Sequence, residues 1–226
     1  MKDPATIQGA GHPGVLRTSL LSVIGASVAL IVVRLATYQA YFNMPGSSTV
    51  VAEAAVLLAA YSAAVLIIPA HASQETQAAL RVGSRFGLGI GLLQVIHLLV
   101  ENFANLRGTA NAATTLAFMV TTFGLWGVSG FVVARSTGSL KNAVAASCWS
   151  AAVTMLITVA FGLALMYAGV PPLREVATWG EFARSGWTDV RAFAIANTLD
   201  AAASHLFIAP LVALAVGAFG GVLGKS

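Results

Sequence analysis

The chain has 226 residues, of which 58% are hydrophobic and 9% charged, and its mean hydropathy is +0.83. That leaves too little polar surface to coat a water-soluble globule. A net charge of +4, with no Walker motif, Gly-rich phosphate loop or basic-aromatic groove, gives no support to ATP hydrolysis or nucleic-acid binding.

The class that remains is an all-α polytopic membrane bundle. Crossing the hydrocarbon core takes about 20 apolar residues, and about six such stretches follow one another at 17–41, 49–70, 86–105, 112–134, 143–168 and 192–223. Residues 1–16, with Lys2, Asp3 and two prolines, lack the pattern of a cleaved signal peptide. They are expected to form a short cytoplasmic segment ahead of a single membrane domain, 17–226. Segment 72–85 is polar and helix-compatible and is expected at the cytoplasmic surface. Segment 171–191 mixes Trp179, Phe182 and Trp187 with charges, as an outer interfacial loop does. The last stretch is long enough to tilt or to kink at Pro210. The single Cys148 excludes an intrachain disulfide and reads as a small packing residue.

Charge at the ends of these stretches sets orientation. With the N-terminus inside, the cytoplasmic side carries Lys2, Arg17, Arg81, Arg85, Arg135, Lys141 and Lys225 against Asp3 and Glu75. The outer side carries Arg107, Arg174, Arg184 and Arg191 against Glu175, Glu181 and Asp189. The positive-inside rule then predicts a multi-pass inner-membrane protein with both termini cytoplasmic. Basic segments near Arg17, Arg81 and Lys141 each open an outward-running helix, so the chain reads as helical hairpins.

Inside the apolar stretches stand Arg34, Glu53, Glu101 and Asp200, accompanied by His97 and His205. An ionisable group near the bilayer centre costs a few kcal/mol and reads as part of a site. At about 1.5 Å per residue, all of them fall between the outer interface and the midplane. Gln94, His97, Glu101 and Asn105 are spaced by three and four and share one helical stripe. Arg34, Tyr38 and Tyr41 form a second, and Asn197, Asp200 and Ser204 a third. At roughly 100° per residue, His205 lies about 80° from Asn197 and about 140° from Asp200. Asp200 and His205 are therefore not a ready-made ligand pair on a straight helix.

Arg34 offsets one of the carboxylates Glu53, Glu101 and Asp200, which leaves a negative excess beside the imidazoles. Protons, a divalent metal ion or a cationic solute could neutralise it. His97 and Glu101 could share a metal on one helical face, with His205 and either Asp200 or Glu53 completing a tetrahedral set. Bis-histidine haem ligation by His97 and His205 is the weaker alternative, because the neighbouring acids ill suit an apolar porphyrin slot.

Gly127-Val128-Ser129-Gly130 resembles, over four residues, the Gly-x-Ser-Gly of rhomboid intramembrane proteases, a family with six spans and a catalytic histidine in the sixth. The surroundings depart from that family. Its HxxxN appears here as His97 followed by Glu101 and only then Asn102, and Ser129 falls near the inner end of its helix, well below His205. No catalytic residue is assigned. Gly124, Gly127 and Gly130 read instead as a small-residue packing face, with Gly87-x-x-x-Gly91 and Gly217-x-x-x-Gly221 in the same role, either within the bundle or between copies.

The leading expectation is a polar outer-half site that binds or transports a small cation, metal ion or protonated solute. Arg34, Glu53, Gln94, Glu101, Asn197 and Asp200 would bind the solute, and His97, Glu101, Asp200 and His205 would hold a metal. The alternatives are a membrane-embedded enzyme acting on a lipid through the same acids and histidines, and a non-catalytic subunit of a membrane complex. Expected partners are the lipid bilayer and a small cation or small-molecule ligand, with a homo-oligomer or membrane-complex partner as the remaining option. Transport further requires a water-accessible route through the inner half, which the sequence lines only with Ser, Thr, Gln and Gly.

Overall fold

The structure, a computed structural model, describes residues 13–104, 106 and 108–225, with side chains from residue 17 onward. Lys2, Asp3 and His12 of the N-terminal segment, Asn105 of the third-helix stripe and Arg107 of the outer loop lie outside the described residues. Six long helices dominate: α1 (Pro13–Thr37), α2 (Ser47–His71), α3 (Gln74–Phe103), α4 (Gly108–Thr137), α5 (Leu140–Tyr167) and α8 (Val190–Lys225). The short helices α6 (Leu173–Val176) and α7 (Gly180–Ser185) join α5 to α8, and a 3-10 turn at Gln39–Asn43 joins α1 to α2. All six long helices are long and apolar enough to cross a membrane. Large apolar side chains on their outward faces, such as Val56, Leu92 and Phe219, are exposed, as a lipid-facing surface requires.

Two boundaries differ from the expectation. Segment 72–85 is no separate surface piece, because α3 begins at Gln74 and runs unbroken to Phe103. Ser73 caps it, accepting the Thr76 N–H at 3.3 Å. Gly83 and Ser84 are buried, while Arg81 and Arg85 point outward, so the polar residues that suggested a surface segment occupy only one face. At the other boundary α1 stops at Thr37, where Tyr38 leaves helical geometry with φ −137°. The stripe of Arg34, Tyr38 and Tyr41 is thereby split. Tyr41 turns into the bundle, fully buried, and donates its hydroxyl to Ser47 O at 3.1 Å.

Helix α5 is the central post, packed against α1, α3, α4 and α8. Small residues let its neighbours approach. A Cβ at Gly87 would stand 2.7 Å from both Ser150 O and Val153 Cβ, and one at Gly91 would stand 2.6 Å from Ile157 Cδ1. Between α4 and α8, a Cβ at Gly130 would stand 2.8 Å from Gly217 O. Gly127 faces Val216 across the same seam, whereas Gly124, expected beside them, has nothing within 4 Å. Gly217 and Gly221 meet Ser147, Leu140 and Ala143 of α5, so that GxxxG serves an internal seam.

Most buried polar groups along these seams are bonded, as an apolar interior demands, although the Ser150 hydroxyl has no partner. Trp149 donates to Ser84 Oγ at 2.9 Å, and Ser147 donates to Trp126 O at 2.8 Å. Pro210 sits inside α8 without breaking it. Lacking an N–H, it leaves the Leu206 carbonyl without its helical donor, and the Tyr61 hydroxyl of α2 donates there instead at 2.9 Å.

For α3 and α4 this close packing is confined to one half of the bundle, while α5 and α8 stay buried to the other end at Leu163, Met166, Ala192 and Ile195. No α3 residue beyond Gly91 and no α4 residue before Thr122 is buried. The helices separate there, toward the end that carries α6 and α7, and the space between them is the candidate site.

Candidate functional site

The loop over this end is fastened from both sides. Asp189 caps α8, its Oδ1 accepting the N–H groups of Arg191 at 2.9 Å and Ala192 at 3.1 Å. Its Oδ2 accepts the hydroxyl of Tyr38 from the exit of α1. The Arg191 guanidinium lies 5.3 Å from the Tyr38 ring centre, a cation–π distance. Trp187 stacks edge-on between Tyr41 and Phe193, and Phe182 joins them at 5.3 Å from Phe193. The aromatic residues expected to anchor an interfacial loop thus pin it to the ends of α1 and α8.

Protonation makes this fastening conditional. Burial works to raise the Asp189 carboxyl, but the hydrogen bonds from Tyr38, Ala192 and Arg191 together hold it below the usual carboxylate range. The hydrogen bond to Asp189, followed by burial, lifts Tyr38 above the ordinary tyrosine value of 10.0, and burial pushes Tyr41 up to about 12. A carboxyl whose folded pKa is lowered stabilises above its unfolded pKa, and that contribution is lost as pH falls through the folded value. A tyrosine whose folded pKa is raised contributes below its unfolded pKa and loses that contribution as pH rises through the folded value. The latch is therefore expected to hold from mildly acidic pH to about the ordinary tyrosine range. Hydrogen exchange of segment 186–193 should accelerate below the ordinary carboxylate range. In Asp189→Asn the step at acid pH should disappear.

Beneath the latch, α3, α4, α5 and α8 enclose a cavity of about 530 Å³, roofed by Val170, Pro171 and Trp179. Gln94, His97 and Glu101 of α3 line one wall, and Asn197 and His205 of α8 the opposite one. Most of the remaining lining is apolar, with Met119, Phe123, Trp126 and Ile208 prominent. Met119 of α4 and Ile208 of α8, which line the cavity within the spanning helices, are 43% and 52% exposed. The cavity thus opens sideways, toward the lipid-facing surface.

A short hydrogen-bond chain orients the imidazole. Gln94 Nε2 donates to Thr122 Oγ1 of α4 at 2.5 Å, which turns its Oε1 toward His97. That oxygen can only accept, so His97 Nδ1 donates to it, at 3.4 Å. The ring stacks on Phe118 with centroids 4.5 Å apart. Nε2 is left as an acceptor, buried and without a partner. On α8, His205 Nδ1 donates to Ala201 O at 2.6 Å, which likewise leaves its Nε2 lone pair free for the exposed mouth.

The other candidate residues lie elsewhere. Glu53 and Asp200 line a separate groove of about 480 Å³ between α2 and α8. Arg34 lines a third cavity of about 270 Å³ with Arg191 and Asn197. Among the described residues, Arg34 forms no ion pair with Glu53 or with another acid, and the expected offset of one carboxylate by Arg34 is not made. Nor is a metal shell assembled. No group of three or more His, Cys, Asp or Glu side chains among the described residues could hold an ion. The set of His97, Glu101, Asp200 and His205 fails because Asp200 leaves α8 toward α2 while His205 leaves it toward α4. Ser129 is also far from hydrolytic geometry, being fully buried and donating to Trp126 O at 2.7 Å.

Thr122 and Phe118, which position His97, and the pairing of Tyr38 with Asp189 were not readable in advance. A threonine or phenylalanine within an apolar stretch is usual, and 151 residues separate the latch partners. No family model matches the chain, no curated protein matches it, and no solved structure matches it.

Proposed function

We propose that this membrane protein binds a small protonated amine with an apolar body in the cavity between α3, α4, α5 and α8. The observation that carries the reading is His97 Nε2, a buried acceptor without a partner, in the same cavity as the unpaired carboxylate Glu101. An ammonium group supplies several N–H donors and one positive charge, so it satisfies both at once. A buried imidazole acceptor beside a carboxylate favours such a cation more strongly than a fully water-exposed pair does. The apolar walls and the sideways mouth suit a ligand that partitions into the bilayer, and they suit a hydrated metal ion poorly. The tightly packed inner half supports binding in place over passage across the membrane.

The same closed inner half also favours a second reading, acid–base chemistry by His97 and Glu101 on a lipid that enters through the mouth. Release of a water-soluble product from labelled bilayer lipid would distinguish it from simple binding.

Binding is tested by titrating the purified protein in neutral detergent with decylamine and with decanol, which has the same chain and no charge. Wild-type protein should bind the amine at least tenfold more tightly than the alcohol. Glu101→Gln should erase most of that preference while leaving decanol binding unchanged. Equal affinities for amine and alcohol in the wild type would refute the proposal.

A further inference from the structure

The cavity of about 270 Å³ beside α6 has the opposite character. It is lined by Arg34 from the last turn of α1, Arg191 from the first turn of α8, Asn197, Thr198, Trp179 and the backbone around Gly169. No acidic side chain lines it. The Arg34 guanidinium forms no ion pair among the described residues, and its Nε is buried without a hydrogen-bond partner. Arg191 faces the Tyr38 ring. The carboxylate beside Arg191, Asp189, is occupied by the Tyr38 hydroxyl and two backbone N–H groups. Counting Arg34 and Arg191 against Asp189, the locality keeps one formal positive charge.

A basic residue in the last turn of a helix offsets the helix dipole by a few tenths of a kcal/mol. That accounts for the position of Arg34. It does not account for a second guanidinium in the same cavity, nor for a buried N–H with nothing to donate to. Guanidinium forks match tetrahedral oxyanions, whose several oxygens each accept a hydrogen bond. The cavity falls just below the usual span of ligand pockets, about 300 to 1,000 Å³, so it suits a compact anionic group and excludes a whole lipid. Its place between the end of α1 and the start of α8 puts it at the depth of the outer leaflet's phosphates. We infer that Arg34, Arg191 and Asn197 form a binding site for a phosphate-type oxyanion, either a phospholipid headgroup or a free phosphate. The site shares Val170, Pro171, Trp179, Asn197 and Thr198 with the amine cavity, but does not use His97 or Glu101.

Delipidated protein in neutral detergent would be titrated, at constant ionic strength, with three probes: inorganic phosphate, dihexanoylphosphatidylglycerol and dihexanoylglycerol, which lacks the phosphate. Binding of inorganic phosphate identifies a free-anion site. Binding of the phospholipid alone, without inorganic phosphate or dihexanoylglycerol, identifies a headgroup site. In either case Arg34→Gln should weaken binding at least tenfold and Arg34→Lys by less, because lysine keeps the charge and loses the fork. Arg191→Gln provides the same test independently should Arg34→Gln fail to fold. Glu101→Gln, which tests the amine cavity, should leave phosphate binding unaltered. The inference is overturned if the wild-type protein holds neither phosphate probe, if dihexanoylglycerol binds as well as the phospholipid, or if the folded glutamine variants bind like wild type.

Discussion

Gly87→Leu is expected to destabilise the bundle severely. A first side-chain atom at this position already falls 2.7 Å from a backbone oxygen and from Val153 Cβ of the central helix, and leucine adds three more carbons. Overpacking of a core usually costs about 1–3 kcal/mol, because neighbours can shift. Here the obstacle is backbone on α5, which is held from several sides by α1, α3, α4 and α8, so the cost should reach or exceed the top of that range. Membrane helices associate through close packing more than through hydrophobic exclusion, so a separated seam has little to replace it. Gly124→Leu is the control, since nothing lies within 4 Å of its Cβ position. Thermal unfolding in detergent should show a large loss for the first variant and little change for the second.

Gly162→Leu should separate folding from function. Gly162 lies on α5, lines the central cavity, and has no atom within 4 Å of where its Cβ would stand. Leucine recovers most of the roughly 0.8–1 kcal/mol of helix propensity by which glycine trails alanine, so the variant should be at least as stable as wild type. Its side chain, however, would project into the space assigned to the ligand's apolar body. Decylamine binding should fall tenfold or more with the unfolding temperature maintained or raised. Unchanged amine binding by a folded Gly162→Leu protein would mean that the ligand sits elsewhere.

The apolar runs revealed the six spanning helices because runs of that length have few other uses. The stripe of Gln94, His97 and Glu101 was likewise legible, since spacings of three and four define a face on any straight helix. The wide angle between Asp200 and His205 also followed from helical geometry, and the two now lie on different cavities. Placement by depth could not show which faces of different helices meet. Arg34 and Glu53 share a level, yet α1 presents Arg34 to the loop and to α8, while Glu53 meets α8 on its other side. The extent of α3 was hidden by averaging hydropathy over a segment whose polar and buried residues lie on opposite faces. The end of α1 was hidden because Tyr38, Gln39 and Ala40 are all tolerated in a helix. The latch depends on residues distant in sequence, and nothing local marks either partner.

In the proposed binding mode His97 Nε2 waits as an acceptor for a protonated amine. Nitrogen NMR of protein labelled at histidine reads this directly, because protonated and bare ring nitrogens have well-separated shifts. Without ligand, His97 should show a proton on Nδ1 and none on Nε2. On addition of decylamine, the Nε2 signal should move as an accepted hydrogen bond forms, while decanol leaves it in place and Glu101→Gln reduces the change. A proton on Nε2 in the unliganded protein, or a signal unaffected by saturating amine, would contradict the account.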